Sequence, residues 1–151
     1  MITFHVESFA KCLPEFKPLL PLHWQELALN QDQVPLDPQW EFYFDRERRG
    51  ELLFVSIREK GSIIGYYIGF VAPALHYQSC LTCITDIFFV APDKRGAMTS
   101  LKLFKFVEEE LRRRGVKRWF VGSKAHADAS AIFERLKFER VEVHYSKWMV
   151  D

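Results

Sequence analysis

The sequence predicts an α/β protein, and three observations predict it. Residues 52–58 and 62–72 are two strand-like runs joined by the short turn-forming link Glu59-Lys60-Gly61. From residue 80 onward strand and helix patterns alternate, which implies parallel pairing next to that antiparallel hairpin. The stretch 99–114 carries Leu101, Leu103, Phe104, Val107 and Leu111 on one helical stripe. The chain has 151 residues, 48% of them apolar and fourteen of them Phe, enough to bury a core and the length of one domain.

The elements follow in order. Residues 3–9 alternate loosely and read as a first strand. Residues 10–29 place Leu13, Phe16, Leu20, Trp24 and Leu27 at helical spacing, while Pro14, Pro18 and Pro21 interrupt it, so a short helix, a kink and a second short helix are expected. Residues 30–38 read as a loop. Asp37 is the expected cap of the next helix, with Pro38 in its first turn and Gly50 as its stop. After the hairpin, 80–90 is a strand ending in the apolar run Ile87-Phe88-Phe89-Val90, the signature of a strand covered on both faces. Residues 116–122 read as a strand, 128–136 as a short helix capped by Asp128, and 141–149 as a last strand.

Composition narrows the function classes. Lys and Arg number 21 against 20 Asp and Glu, and no basic stripe interleaves with aromatics, so nucleic acid is not an expected partner. No apolar run is long enough for a bilayer, so no membrane partner is expected either. The first residues lack a basic segment followed by an apolar one, which predicts a cytoplasmic protein. Cys12, Cys80 and Cys83 make an odd count, against a disulfide framework. Cys80 and Cys83 lie three apart in a strand, on opposite faces, and no second pair exists, so no metal site is expected.

The chemistry concentrates at Val90-Ala91-Pro92-Asp93-Lys94-Arg95-Gly96-Ala97-Met98-Thr99-Ser100. A loop that leads from a buried strand into a helix N-terminus presents free amide groups and a positive dipole end, a site for phosphate oxygens. Lys94 and Arg95 add charge, Gly96 frees the backbone, and Thr99 or Ser100 offers a hydroxyl to the helix or to an anion. An ordinary strand-to-helix connection would carry the same pattern.

The order hairpin, strand, V-x-P-x-x-R-G turn and long helix resembles motif A of the GNAT N-acetyltransferases, and "IFERLKF" at 132–138 is similar to the next motif of that family. The resemblance covers essentially the whole chain. His76-Tyr77, Asp86 and the single "RG" are similar to small phage-encoded members. What the resemblance implies is a GNAT acyl-CoA N-acyltransferase fold, a mixed sheet of about six or seven strands flanked by about four helices. It implies acetyl-CoA as cosubstrate, held in an opening between the strands that end near Val90 and Gly122. Phe89 and Val90 would pair with the pantetheine, and Lys94 to Ser100 would hold the pyrophosphate. It implies direct acetyl transfer to an amine acceptor, a small molecule or a protein amine, by a monomer or homodimer.

The departures set up the alternative. Met98 and Ser100 stand where the family has small residues, Phe133 where it has a tyrosine acid, and Lys137 where it has a glycine. Met98, Ser100 and Phe133 favour a catalytically silent protein of the same fold, used for binding or structure, while Asp86, Arg95 and Gly96 favour activity. Among catalytic candidates Asp86 comes first, a carboxylate in an apolar strand, where burial raises its pKa toward that of a base. Its plain reading is a structural hydrogen bond. His76 is a base or relay by residue type, or an ordinary loop histidine. Tyr145 is a substitute phenol donor, or simply packs. His126 lies where the family often contacts the pantetheine. Trp24, Trp40, Phe42, Tyr43 and Phe44 would shape an acceptor pocket or a core.

Overall fold

The structure is a computed structural model that describes residues 1–96 and 98–151. Five strands, β1 (Ile2–Val6), β2 (Leu52–Glu59), β3 (Ser62–Pro73), β4 (Leu81–Val90) and β5 (Arg118–Phe120), form one sheet in sequence order. The first three pairings are antiparallel and β4 with β5 is parallel. The helices are α1 (Phe9–Phe16), α2 (Leu20–Leu27), α3 (Trp40–Arg48), α4 (Ala97–Arg113) and α5 (Ser130–Arg135).

The β2–β3 hairpin closes on Lys60 and Gly61, both at positive φ (51° and 82°), the two-residue turn whose twist suits antiparallel strands. Pro18 ends α1, and a 3-10 turn at Lys17–Leu19 hands the chain to α2. Glu47 of α3 accepts from the Phe9 and Ala10 amides, so α3 caps the start of α1. Arg58 bridges Glu7 and Glu15 at 2.9 and 2.8 Å, tying α1 to the hairpin.

Side-chain alternation gives the sheet two packed faces. Leu53, Val55, Tyr67, Cys83 and Val90 meet Leu103, Phe104, Val107 and Leu111 of α4 and Phe133 of α5. Phe54, Tyr66, Ile68 and Phe89 meet Phe9, Phe16 and Leu20 on the opposite face. Gly65 permits the close approach of β3 to β4 at the Val90 end. A Cβ there would stand 2.4 Å from the Phe89 carbonyl oxygen.

Several expectations are corrected. The sheet has five strands, because 141–149 forms none: its residues alternate but no neighbour pairs with them. Helix α3 begins at Trp40, two residues after Pro38, and Gln39, not Asp37, precedes it. β5 covers only three residues of the expected 116–122. Helix α5 starts at Ser130, although Asp128 still accepts from the Ser130 amide at 2.9 Å. All three cysteines are free.

Candidate functional site

β4 and β5 share only three pairs, Thr82 with Arg118, Cys83 with Trp119 and Ile84 with Phe120. Beyond Ile84, β4 runs on to Val90 with no partner on that side among the described residues, so the sheet opens there. The opening's base is polar and fixed. The Trp119 indole donates to the Tyr67 and Thr85 hydroxyls at 3.0 and 2.9 Å, and those hydroxyls lie 2.7 Å apart. Phe89 and Val90 stand at the far end of the unpaired edge, with Phe89 buried against His23 and Tyr66.

The turn after β4 holds itself in place. Arg95 donates from Nε to the Val90 carbonyl at 2.8 Å and from its terminal nitrogen to Glu26 of α2 at 2.7 Å. Its guanidinium also lies over the Phe89 ring, 5.3 Å from the centroid. Lys94 pairs with Glu59 at 3.0 Å. Both basic side chains are paired with carboxylates of neighbouring elements at the protein surface. Gly96 and Ser100 instead line a groove of about 210 Å3 with Leu101 and with Ala131, Ile132 and Arg135 of α5. Arg135, which the sequence reading did not single out, thus lies in the same groove as Gly96 and Ser100. Met98 is half exposed and Thr99 half buried. Ala97 lies outside the described residues.

Asp86 owes its position to an irregularity. Ile68 pairs with Ile87 and Gly69 with Thr85, which leaves Asp86 as one extra residue on β4. Such a bulge re-aims a side chain. Here it turns Asp86 toward α3, where the Tyr43 hydroxyl donates to Oδ2 at 2.6 Å. Apolar surroundings push the Asp86 carboxyl above the ordinary aspartate value, and the Tyr43 hydrogen bond partly offsets this. The Tyr43 phenol is itself held far up by desolvation and by the adjacent carboxylate.

His23 is the second group that sequence reading missed. Its signal was its place three residues after Leu20 and four before Leu27, on the buried stripe of α2. It stacks on Phe89 with ring centroids 4.9 Å apart, and its Nδ1 lies 2.7 Å from the Tyr66 hydroxyl. Burial lowers its pKa to about 4, so it is neutral at physiological pH.

The remaining predicted residues are dispersed. His76 lies in the β3–β4 loop, on the far side of Leu81, which is five strand residues, or about 16 Å, from Asp86. Tyr145 is 93% exposed on the unpaired 139–151 segment. His126 bonds through Nε2 to the Leu27 carbonyl at 3.0 Å, joining the loop after β5 to α2. Phe133 is buried between Phe104 and Phe138 in the core. Beside Asp86, a cavity of about 400 Å3 opens among α1, α2, α3 and the 28–39 loop, with Tyr43 and Ile87 in its wall. The described residues contain no cluster of metal-ligating side chains and no helix long and apolar enough to cross a membrane.

The sequence matches no protein-family model and no curated protein. Solved structures do match. An aminoglycoside acetyltransferase from an uncultured soil metagenomic sample superimposes with a TM-score of 0.74 at 17% identity, over 100% of this chain and 99% of that one. A glucosamine-6-phosphate N-acetyltransferase from Arabidopsis thaliana gives 0.72 at 13% identity, over 99% of each. A predicted acetyltransferase from Clostridium acetobutylicum, solved with acetyl-CoA, gives 0.68 at 12% identity, over 99% and 97%. At these identities the likeness is one of fold, and the fold is that of the GNAT acyltransferases.

Proposed function

We propose that the protein is an acetyl-CoA-dependent N-acetyltransferase that moves acetyl directly to a primary amine. The observation that carries this reading is Asp86, bonded at a bulge to Tyr43 in the wall of an acceptor-sized cavity, on the same strand whose outer edge is left unpaired. The fold, shared with a structure solved with acetyl-CoA, supports the choice of cosubstrate.

The residues present fit that cosubstrate. The unpaired edge of β4 between Thr85 and Val90 offers backbone groups to an extended amide-bearing arm, except the Val90 carbonyl, which Arg95 occupies. The first turn of α4, with Gly96, Ser100 and Arg135 around the groove, offers amides, a hydroxyl and a cation to phosphates. Acetyl-CoA supplies an activated thioester. In the transfer the amine nitrogen forms a bond to the thioester carbonyl carbon, the C–S bond breaks, and CoA leaves as a thiolate. Asp86 takes the proton that the amine nitrogen must lose, and Tyr43 holds the carboxylate in place. The leaving thiolate takes a proton from solvent. Phe133 cannot supply one, because it has no hydroxyl and is buried in the core.

A second reading is a binding protein of the same fold that performs no transfer. Phe133 and the remote, exposed Tyr145 favour it, because neither puts a phenol beside the opening. Asp86→Asn separates the two readings. The proposal expects CoA release to fall at least a hundredfold with the acetyl-CoA dissociation constant unchanged. Equal rates in the variant and the parent would remove Asp86 from the reaction, and no release from the parent with any amine would leave the binding reading.

A further inference from the structure

The cavity beside Asp86 has a composition that selects among amines. Its wall takes aromatic rings from Phe9, Phe16, Trp24, Trp40 and Tyr43. Its charged or titratable liners, among the described residues, are His23, Asp37, Tyr43 and Lys124, and the Tyr43 phenol stays protonated because its pKa is raised. His23 is neutral and already engaged with Tyr66, which leaves one charge of each sign. A run of hydroxyls buried there would lose hydration without matching partners, and a second cation would find only Asp37, with Lys124 opposing it.

Two further observations point the same way. Leu29, Val34 and Leu36 line the cavity yet are 56%, 41% and 41% exposed, so apolar surface is presented at its border without being covered. The loop that carries them is anchored: the Gln31 amide donates to the Trp24, Gln25 and Ala28 carbonyls at 3.2, 2.9 and 3.1 Å. The loop is thus tied to the end of α2, and the cavity's volume of about 400 Å3 lies in the range of small-molecule sites.

We infer that the acceptor is a monoamine whose primary amino group is carried on an apolar, aromatic-sized body, with the body in this cavity and the amine beside Asp86. The inference rests on the acetyl-transfer reading for the fate of the amine, but the choice of body rests on the cavity alone. Polyamines and amino sugars are the classes the wall rejects.

The test uses the full chain and 2-phenylethylamine, putrescine and glucosamine as probes. Binding is read from tryptophan fluorescence, since Trp24 and Trp40 line the cavity, with Trp40→Phe assigning the signal. Leu36→Asp, on the exposed loop, places a charge in the wall without touching the core. The expected result is binding of 2-phenylethylamine at least tenfold tighter than of the other two. Leu36→Asp weakens it at least tenfold and leaves acetyl-CoA binding unchanged. Equal or tighter binding of putrescine or glucosamine, or no effect of Leu36→Asp, overturns the inference. CoA release in the presence of each amine tells the two layers apart. Release with glucosamine or putrescine but not with 2-phenylethylamine refutes the acceptor class and keeps the transfer reading. Selective binding of 2-phenylethylamine with no CoA release refutes transfer and keeps the pocket.

Discussion

Replacing Gly65 by Ala tests how the β3–β4 contact shapes the cofactor end of β4. The added Cβ would lie 2.4 Å from the Phe89 carbonyl oxygen, 2.9 Å from the Ile57 Cδ1 and 3.1 Å from the Val90 Cα. The Ile57 methyl can rotate away, but the Phe89 carbonyl is backbone. Ordinary contact begins near 3.4 Å, so β4 must give by about 1 Å at the residues that face the opening. Overpacking of this kind costs about 1–3 kcal/mol, and Ala recovers about 0.4–1 kcal/mol by restricting the unfolded chain. The net loss is centred on about 1.3 kcal/mol and reaches about 2.6 kcal/mol at most. For a chain of this length the central value corresponds to about 3–5 °C in Tm. Differential scanning calorimetry of Gly65→Ala against Gly122→Ala measures it, because a Cβ at Gly122 meets nothing within 4 Å. The account expects the loss only at Gly65, together with weaker acetyl-CoA binding. A Gly65→Ala protein that melts with the parent would refute the close approach of the two strands.

Three further outcomes follow from the same structure. His23 has its folded pKa lowered from 6.5 to about 4, chiefly by burial, with Arg95 and Lys124 adding to the effect and Glu26 opposing it. The stability that its neutral form contributes is complete above pH 6.5 and is lost as pH falls toward 4, because the unfolded chain then binds the extra proton. Urea unfolding between pH 7 and 5 should show that slope in the parent and a flatter one in His23→Phe. The Tyr43 hydroxyl lowers the Asp86 pKa, so Tyr43→Phe should move the acidic limb of kcat/KM to higher pH; an unmoved limb would mean that Asp86 is not the titrating base. Truncation after Glu139 removes a segment without strand pairing, and the shortened chain should unfold within about 0.5 kcal/mol of the parent by urea titration, the range of surface changes.

What the sequence disclosed depended on how local the signal was. The Lys60-Gly61 turn, the stripe of α4 and the apolar end of β4 are written in neighbouring residues, and each stands where its pattern placed it. The last strand failed because alternation at 141–149 describes a segment able to pair, while pairing itself needs an edge elsewhere in the chain. The same limit hid the site's key detail. Asp86 was legible as a carboxylate in an apolar run, but the bulge that turns it toward Tyr43 arises from the register between Ile68 and Ile87. The carboxylates that pair with Arg95 and Lys94, Glu26 and Glu59, are distant in sequence and meet them only in the folded chain.

The central claim is that the opening between β4 and β5 holds acetyl-CoA, and thermal unfolding with and without it tests that claim most directly. At about a hundred times its dissociation constant the ligand should stabilise the fold by about 2.7 kcal/mol. Arg135→Glu, which reverses the charge in the groove shared with Gly96 and Ser100, should abolish most of that gain while leaving the unliganded Tm unchanged. No stabilisation at millimolar acetyl-CoA, or the same stabilisation in Arg135→Glu, would contradict the account.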